Sequence, residues 1–178
     1  MTLKEFLIIS DVASGKEALQ QSIKDIPKPF KVGKRSLPDD LNGITMGQLM
    51  QIQGIVTMDD LFTVPFSVLL SMAPSDVMKS EAVEVLGFAM WVSKEVERIN
   101  KLFATTSLPP TQEEIRAGIE NMQIGAFGII DYYALRMGIT DHAEVENVPW
   151  TRVYKCLDID AKKAQFQRRL QTILSNKK

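Results

Sequence analysis

Apolar residues recur every three or four positions along two long stretches of the chain, which is the period of a helix with one buried face. The first stretch carries the pattern at Met78, Ala82, Val85, Ala89, Val92, Val96, Ile99 and Phe103. The second carries it at Ile115, Ile119, Met122, Ala126, Ile129, Tyr133 and Met137. A Pro109-Pro110 corner separates them. The pattern therefore predicts an all-α fold centred on a long helical hairpin, about residues 76–104 and 111–137.

Three glycines interrupt the second arm of this predicted hairpin: Gly118, Gly125 and Gly128. Each costs roughly 1 kcal/mol relative to alanine inside a helix. Small residues let two helix backbones approach closely, so a tight helix crossing would offset that cost. A kink near Gly125 is the competing interpretation.

Several shorter helices are marked by capping pairs, in which Ser or Thr is followed three residues later by an acid or Gln. These pairs are Thr2 with Glu5, Ser14 with Glu17, Thr45 with Gln48, Thr57 with Asp60, and Thr111 with Glu114.

Near the C-terminal end, helix boundaries are predicted from single residues. Gly138 has the character of a C-terminal cap, Asp141 begins a short helix and Pro149 opens the next. Asp160 is predicted to cap a last helix. Four apolar residues of that helix are expected to face inward: Phe166, Leu170, Ile173 and Leu174.

The pattern disappears between residues 27 and 43, where prolines alternate with cations. Prolines fix φ and remove backbone donors, so this segment is predicted to be an extended arm with little structure of its own. It divides the chain into an N-terminal helix and arm, residues 1–44, and a helical core domain, residues 45–178. Two interpretations stay open for the arm, a surface linker and a basic segment that grips a partner or a phosphate backbone.

The candidate partner-binding residues come from this arm and from the last helix. They are Lys28, Phe30, Lys31, Lys34, Arg35, Arg168 and Arg169. For the last helix, cations that complement the helix dipole and a solvated face are the competing interpretation.

Composition narrows the functional classes. The net charge is −1, whereas proteins that coat nucleic acid over their whole surface are strongly basic. The 45% apolar content is that of an ordinary globular chain, and no run reaches the roughly 18 apolar residues of a membrane span. Cys156 is the only cysteine, so the chain cannot form an internal disulfide, which fits a reducing compartment.

Catalytic signatures are missing from the sequence. His142 is the only histidine, and nothing in the sequence pairs it with Cys156 as a nucleophile–base couple. One histidine and one cysteine are too few ligands for a zinc site built from imidazole and thiolate. Asp158 and Asp160 have the spacing of two calcium ligands, but the other ligands of a calcium-binding loop are missing. We therefore expect no enzyme activity, no catalytic residue, no cofactor and no metal site.

A resemblance adds a biological context. Residues 125–133 read Gly-Ala-Phe-Gly-Ile-Ile-Asp-Tyr-Tyr, and they are followed by the segments 136–141, 148–150 and 167–170. The sequence of these segments resembles that of small helical proteins encoded among the structural genes of tailed bacteriophages, especially crAss-like phages. It is also similar in outline to phage tail assembly chaperones. The resemblance covers about a quarter of the chain. It implies a non-enzymatic protein that works by contact with other phage proteins.

The expectation that follows is a structural or interaction protein of a tailed-phage particle, either an internal cargo protein or a head–tail or tail component. Its expected location is the virion, assembled in the cytoplasm of the bacterial host. The expected partners are other phage structural proteins, with a homo-oligomer left open. Two alternatives remain: a tail assembly chaperone absent from the mature virion, and an accessory protein that contacts nucleic acid non-specifically through the arm and the last helix.

Overall fold

A computed structural model describes residues 1–12, 25–122 and 124–176 of the chain. Helices dominate these residues, and their β-structure consists of a two-stranded antiparallel ladder and two isolated bridges. The predicted all-α fold class is confirmed. The helix predicted to begin at Ser14 lies outside the described residues.

The elements of the described residues are numbered in chain order. The helices are α1 (Leu3–Val12), α2 (Met46–Gln53), α3 (Met58–Leu61), α4 (Val64–Leu70), α5 (Pro74–Lys79), α6 (Ala82–Ala104), α7 (Gln112–Arg116), α8 (Phe127–Met137), α9 (His142–Glu146) and α10 (Trp150–Ser175). The strands are β1 (Lys31–Val32) and β2 (Arg35–Ser36), and a 3₁₀ helix spans Ile119–Asn121.

The described residues fall into two compact units. The first unit comprises Met1–Leu41 and Gln48–Arg98, and the second comprises Asn42–Gly47 and Ile99–Lys178. The predicted division into 1–44 and 45–178 is a different partition of the chain, and it stays a prediction.

The core of the first unit forms around the N-terminal part of α6. Val85 and Phe88 are fully buried there, and the ring of Phe66 on α4 meets Phe88 edge to face at 4.8 Å. The backbone N–H of Leu3, also fully buried, donates to the carbonyl of Ser80 at 2.9 Å, which fastens the start of α1 beside the end of α5.

Residues 27–41 of the segment predicted as an extended arm are instead part of the first unit. Its strands β1 and β2 form a hairpin in which Val32 is fully buried, and Leu41 is buried further along. Two acids of α6 accept backbone N–H groups of the segment: Glu84 from Gly33 at 2.8 Å and Glu95 from Leu41 at 3.2 Å. The arm prediction failed because two apolar side chains and these hydrogen bonds outweigh the prolines.

The first arm of the predicted hairpin is two helices rather than one. The backbone of Ser80 is extended, with ψ near 160°, and separates α5 from α6. The Ser80 hydroxyl donates to the carbonyl of Asp76, while Glu81 forms an antiparallel bridge with Thr2. Tertiary pairing with the start of the chain thus replaces the helical hydrogen bonds that the apolar period predicted.

The second arm is also broken, and the prediction of one helix over 111–137 is wrong. Gly118 and Gly125 adopt left-handed backbone angles, with φ of +84° and +61°, so the chain passes from α7 through the 3₁₀ helix before α8 begins. An added Cβ at Gly128 would lie 2.2 Å from a methyl group of Ile124, four residues earlier. This is a contact within one segment and not the predicted crossing of two helices. Gly118 and Gly125 therefore interrupt the predicted helix, one after α7 and the other before α8, because glycine adopts positive φ without steric cost.

The second unit is held by the start of α10. Trp150 is buried beside the rings of Phe103 and Tyr154, with centroid distances of 5.9 and 6.2 Å. Its backbone N–H donates to Ile44 at 3.3 Å. From there α10 continues without interruption through Asp160, so the predicted helix start at Asp160 is wrong.

Three of the five predicted capping pairs are confirmed, the first being Thr2 with Glu5 at the start of α1. The pair Ser14 with Glu17 lies outside the described residues, and Thr45 with Gln48 stays a prediction. Thr57 with Asp60 and Thr111 with Glu114 form reciprocal capping boxes at the starts of α3 and α7. Gly138 ends α8 in the left-handed conformation, with φ of +68°.

Substituting Gly87, which lies in α6, tests the packing of the segment that precedes β1. An added Cβ would lie 2.6 Å from the carbonyl oxygen of Pro27 and 2.9 Å from a methyl group of Ile26. Overpacking costs about 1–3 kcal/mol, against a gain of up to about 1 kcal/mol in helix propensity. We expect Gly87→Ala to lower the free energy of unfolding in urea by about 1–2 kcal/mol.

The matched control is Gly43→Ala, because nothing lies within 4 Å of an added Cβ at that position. Its effect should stay within about 0.5 kcal/mol. Stabilisation by Gly87→Ala would mean that residues 26 and 27 do not pack on α6.

A second substitution distinguishes the broken second arm from the continuous helix. Gly125 has open space around its Cα, so only its φ of +61° decides the effect of a side chain. An L-residue in the left-handed region costs about 1–2 kcal/mol. We expect Gly125→Ala to destabilise the protein by about 1 kcal/mol in urea unfolding. A gain of similar size is the result that a continuous helix requires.

Candidate protein-interaction site

Lys28 is engaged inside the first unit. Its ammonium group donates to the carbonyls of Pro38 and Asp39 at 2.6 and 2.9 Å, and it lies 4.0 Å from the centroid of the Trp91 ring. A cation over an aromatic face contributes about 0.5–1 kcal/mol at a partly exposed site. These contacts give Lys28 a role within the fold.

The other four candidates of the predicted arm lie together on the β1–β2 hairpin, and all are exposed: Phe30, Lys31, Lys34 and Arg35. Phe30 is 99% exposed, so its ring has essentially no neighbour that shields it from solvent. The structure thus brings these four predicted residues into one place, and their partner-binding role stays a prediction.

A pocket of about 790 Å³ lies beside this hairpin within the first unit. Its lining mixes both signs of charge, so a phosphate group entering it would meet carboxylates as well as cations. The charged lining residues are Lys31, Lys34, Arg35, Lys79, Asp76, Glu81 and Glu84.

The two arginines predicted on the last helix differ in their surroundings. Arg168 donates to the carbonyl of Pro109 at 2.7 Å and to both carboxylate oxygens of Glu114 at 3.1 Å. The pKa of Glu114 is lowered chiefly by the backbone N–H of Thr111, with the charge of Arg168 adding to the effect. Arg169 is exposed.

The C-terminal half of α10 carries an exposed row of large apolar side chains, which we call the α10 stripe. Each is between 42% and 58% exposed, so the prediction that the last helix turns this face inward is wrong. The buried residues of α10 end at Ala161. The stripe comprises Ile159, Phe166, Leu170, Ile173 and Leu174.

Helical geometry separates the stripe from Arg168. Successive residues turn by about 100°, so Arg168 projects from nearly the opposite side of α10 to Phe166 and Leu170. Because Arg168 contacts Pro109 and Glu114, the stripe is directed away from that segment.

A polar cluster centred on Asp160 connects α8 to α10, between the stripe residues Ile159 and Phe166. The hydroxyl of Tyr132 and the guanidinium of Arg136 both donate to the carboxylate of Asp160. Burial, followed by the nearby carboxylate, raises the pKa of Tyr132 to about 12. Hydrogen bonds from Tyr132 and then Arg136 lower the pKa of Asp160. The Asp160 side chain therefore does not cap a helix, because its carboxylate accepts hydrogen bonds from two residues of α8.

Chemistry-bearing side chains elsewhere take part in ordinary contacts. His142 lies 3.3 Å from Asp131 and packs beside the ring of Phe127, while Cys156 is a half-buried free thiol. Within residues 1–12, 25–122 and 124–176, no group of three His, Cys, Asp or Glu side chains could hold a metal ion. None of the helices in that part of the chain has the length and apolar character needed to cross a membrane.

Sequence reasoning missed the α10 stripe as a surface, although a signal was present. Ile159, Phe166 and Ile173 recur every seven residues, which is the repeat of a helix that pairs with one neighbouring helix. The apolar period alone predicts burial within the chain.

Compared with known proteins, the chain matches no family model, no curated protein and no solved structure.

Proposed function

We propose that this chain is a non-enzymatic structural protein of a tailed-bacteriophage particle and that it works by contacts with other phage proteins. The observation that carries the interaction role is the α10 stripe. Single exposed apolar residues are normal on protein surfaces, whereas a contiguous row of them typically marks an interaction site. The phage context comes from the resemblance of residues 125–170.

Energetics favour a covered stripe. Fully burying one Leu, Ile or Phe side chain contributes about 1.5–3 kcal/mol. Phe166 and Ile173 are each more than half exposed, so a partner that covers them gains a substantial part of that free energy. A helix already ordered by its buried first half also loses little conformational entropy on binding.

Charge favours a protein partner over nucleic acid. The chain has a net charge of −1, and the cations Lys28 and Arg168 are hydrogen-bonded within their own units. The three cations of the β1–β2 hairpin, Lys31, Lys34 and Arg35, line a pocket that is also lined by three carboxylates. Binding to phosphates needs several cations that release counterions, and the β1–β2 hairpin together with Lys28 and Arg168 supplies few of them.

The test is mass spectrometry of purified particles from the phage that encodes the chain. We expect the full chain to be present in particles at a fixed copy number. In a phage carrying the double variant Phe166→Gln and Ile173→Gln, we expect incorporation to fall about tenfold or more, since a loss of 1.4 kcal/mol is already tenfold. Glutamine keeps a helix propensity close to that of leucine.

The matched control is Leu135→Gln on α8, because Leu135 is 76% exposed but lies outside the stripe. It should be incorporated like the unmodified chain. A chain found in infected cells but not in particles would contradict the proposal and indicate the tail assembly chaperone instead. Normal incorporation of the double variant would show that the α10 stripe is not the surface that binds other phage proteins.

A further inference from the structure

The spacing of the α10 stripe is that of a seam for one helix. Written as heptads, Ile159, Phe166 and Ile173 occupy position d, and Leu170 occupies position a. Arg168 then falls at position f, which lies opposite the seam in a coiled coil. Its contacts with Pro109 and Glu114 agree with this assignment, because they keep the opposite side of the helix occupied.

The charges beside the seam are positive. Lys162 and Arg169 fall at position g, where they flank the seam, and Lys163 falls at position a within it. Lys162 also bonds to Asp158 one turn earlier, at 2.7 Å. Lys163 and Arg169 are exposed, and no acidic residue follows Asp160 in the sequence.

A second copy of the chain is a poor occupant of this seam. In a parallel pair, Lys163 would face the same lysine of the other copy at position a. In either orientation, Arg169 would find no acid beyond Asp160, whose carboxylate already accepts from α8. Like charges at such positions are destabilising, so the seam disfavours self-association.

A membrane surface fits less well than a helix. Helices that lie in a lipid interface combine a broad apolar face with a strongly charged polar face. Here the apolar positions form a narrow seam, and much of the remaining exposed surface is neutral: Gln165, Gln167, Gln171 and Thr172. Lys163 also interrupts the seam itself.

We infer that the α10 stripe binds an acidic amphipathic helix of a partner protein, an inference that rests on the proposed function. The partner helix presents Leu or Ile at its own a and d positions and Glu at the flanking positions that meet Lys163 and Arg169. Its contact with residues 159–176 extends over about 27 Å at 1.5 Å per residue.

The test titrates the full chain with two synthetic helical peptides, each about four heptads long, with Leu and Ile at a and d. One peptide carries Glu at every e and g position and the other carries Lys, and binding is followed by fluorescence anisotropy. We expect the Glu peptide to bind at least about tenfold more tightly than the Lys peptide, with a difference that shrinks as salt is added.

Variants locate the binding on the stripe. The double variant Phe166→Gln with Ile173→Gln should bind the Glu peptide about tenfold more weakly than the unmodified chain does. Leu135→Gln should leave the affinity for the Glu peptide unchanged. The charge-reversal pair Lys163→Glu with Arg169→Glu should reverse the preference toward the Lys peptide, with helix content checked by circular dichroism. This reversal also keeps the test valid if an apolar substitution disturbs folding.

Several outcomes would overturn the inference. They are equal affinity for both peptides, binding to neither, stripe-dependent binding to phosphatidylglycerol vesicles, and a stripe-dependent dimer in sedimentation. If the Glu peptide fails to bind while the stripe variant is still excluded from particles, the helix partner is wrong and the proposed function survives. If the chain is absent from particles, the proposed function fails whatever the peptides do.

Discussion

Burial of Trp150 is the interaction on which the second unit and its candidate site depend. Its ring lies among Phe103 and Tyr154, its backbone N–H donates to Ile44, and Val153 is fully buried one turn later. Truncating a buried tryptophan typically costs about 3–5 kcal/mol. This anchoring is confined to the first part of α10, because its last buried residue is Ala161.

The two halves of α10 consequently differ in their packing. The first half is packed, and the hydrogen bonds from Tyr132 and Arg136 to Asp160 fasten it to α8. The second half is ordered because it continues the packed first half and because Arg168 donates hydrogen bonds to both carboxylate oxygens of Glu114. An exposed apolar stripe on a helix that is already ordered is suited to binding, since little conformational freedom is lost when a partner covers it.

Local signals were readable from the sequence, whereas tertiary choices were not. The capping boxes at Thr57 and Thr111 and the cap at Gly138 depend on residues close in sequence, and all three were predicted. The sign of φ at Gly118 and Gly125 is not encoded in apolar periodicity, so two helices and a 3₁₀ turn were mistaken for one long helix.

Contacts between residues distant in sequence also decide the surroundings of the candidate site residues. Lys28 contacts Trp91 and Arg168 contacts Pro109, which apolar spacing does not predict. Phe30 and Arg169 are exposed, and their partner-binding role stays a prediction. Apolar spacing predicts that one face of α10 is covered. It does not distinguish the interior of this chain from the surface of another protein, and that distinction decides the function of the stripe.

Amide hydrogen exchange along α10 tests the central claim most directly. In the isolated full chain, the account predicts slow exchange over residues 150–161 and much faster exchange over residues 166–175, with the latter becoming protected in the assembled particle. Equal protection of both halves in the isolated chain, or no added protection on assembly, would contradict it.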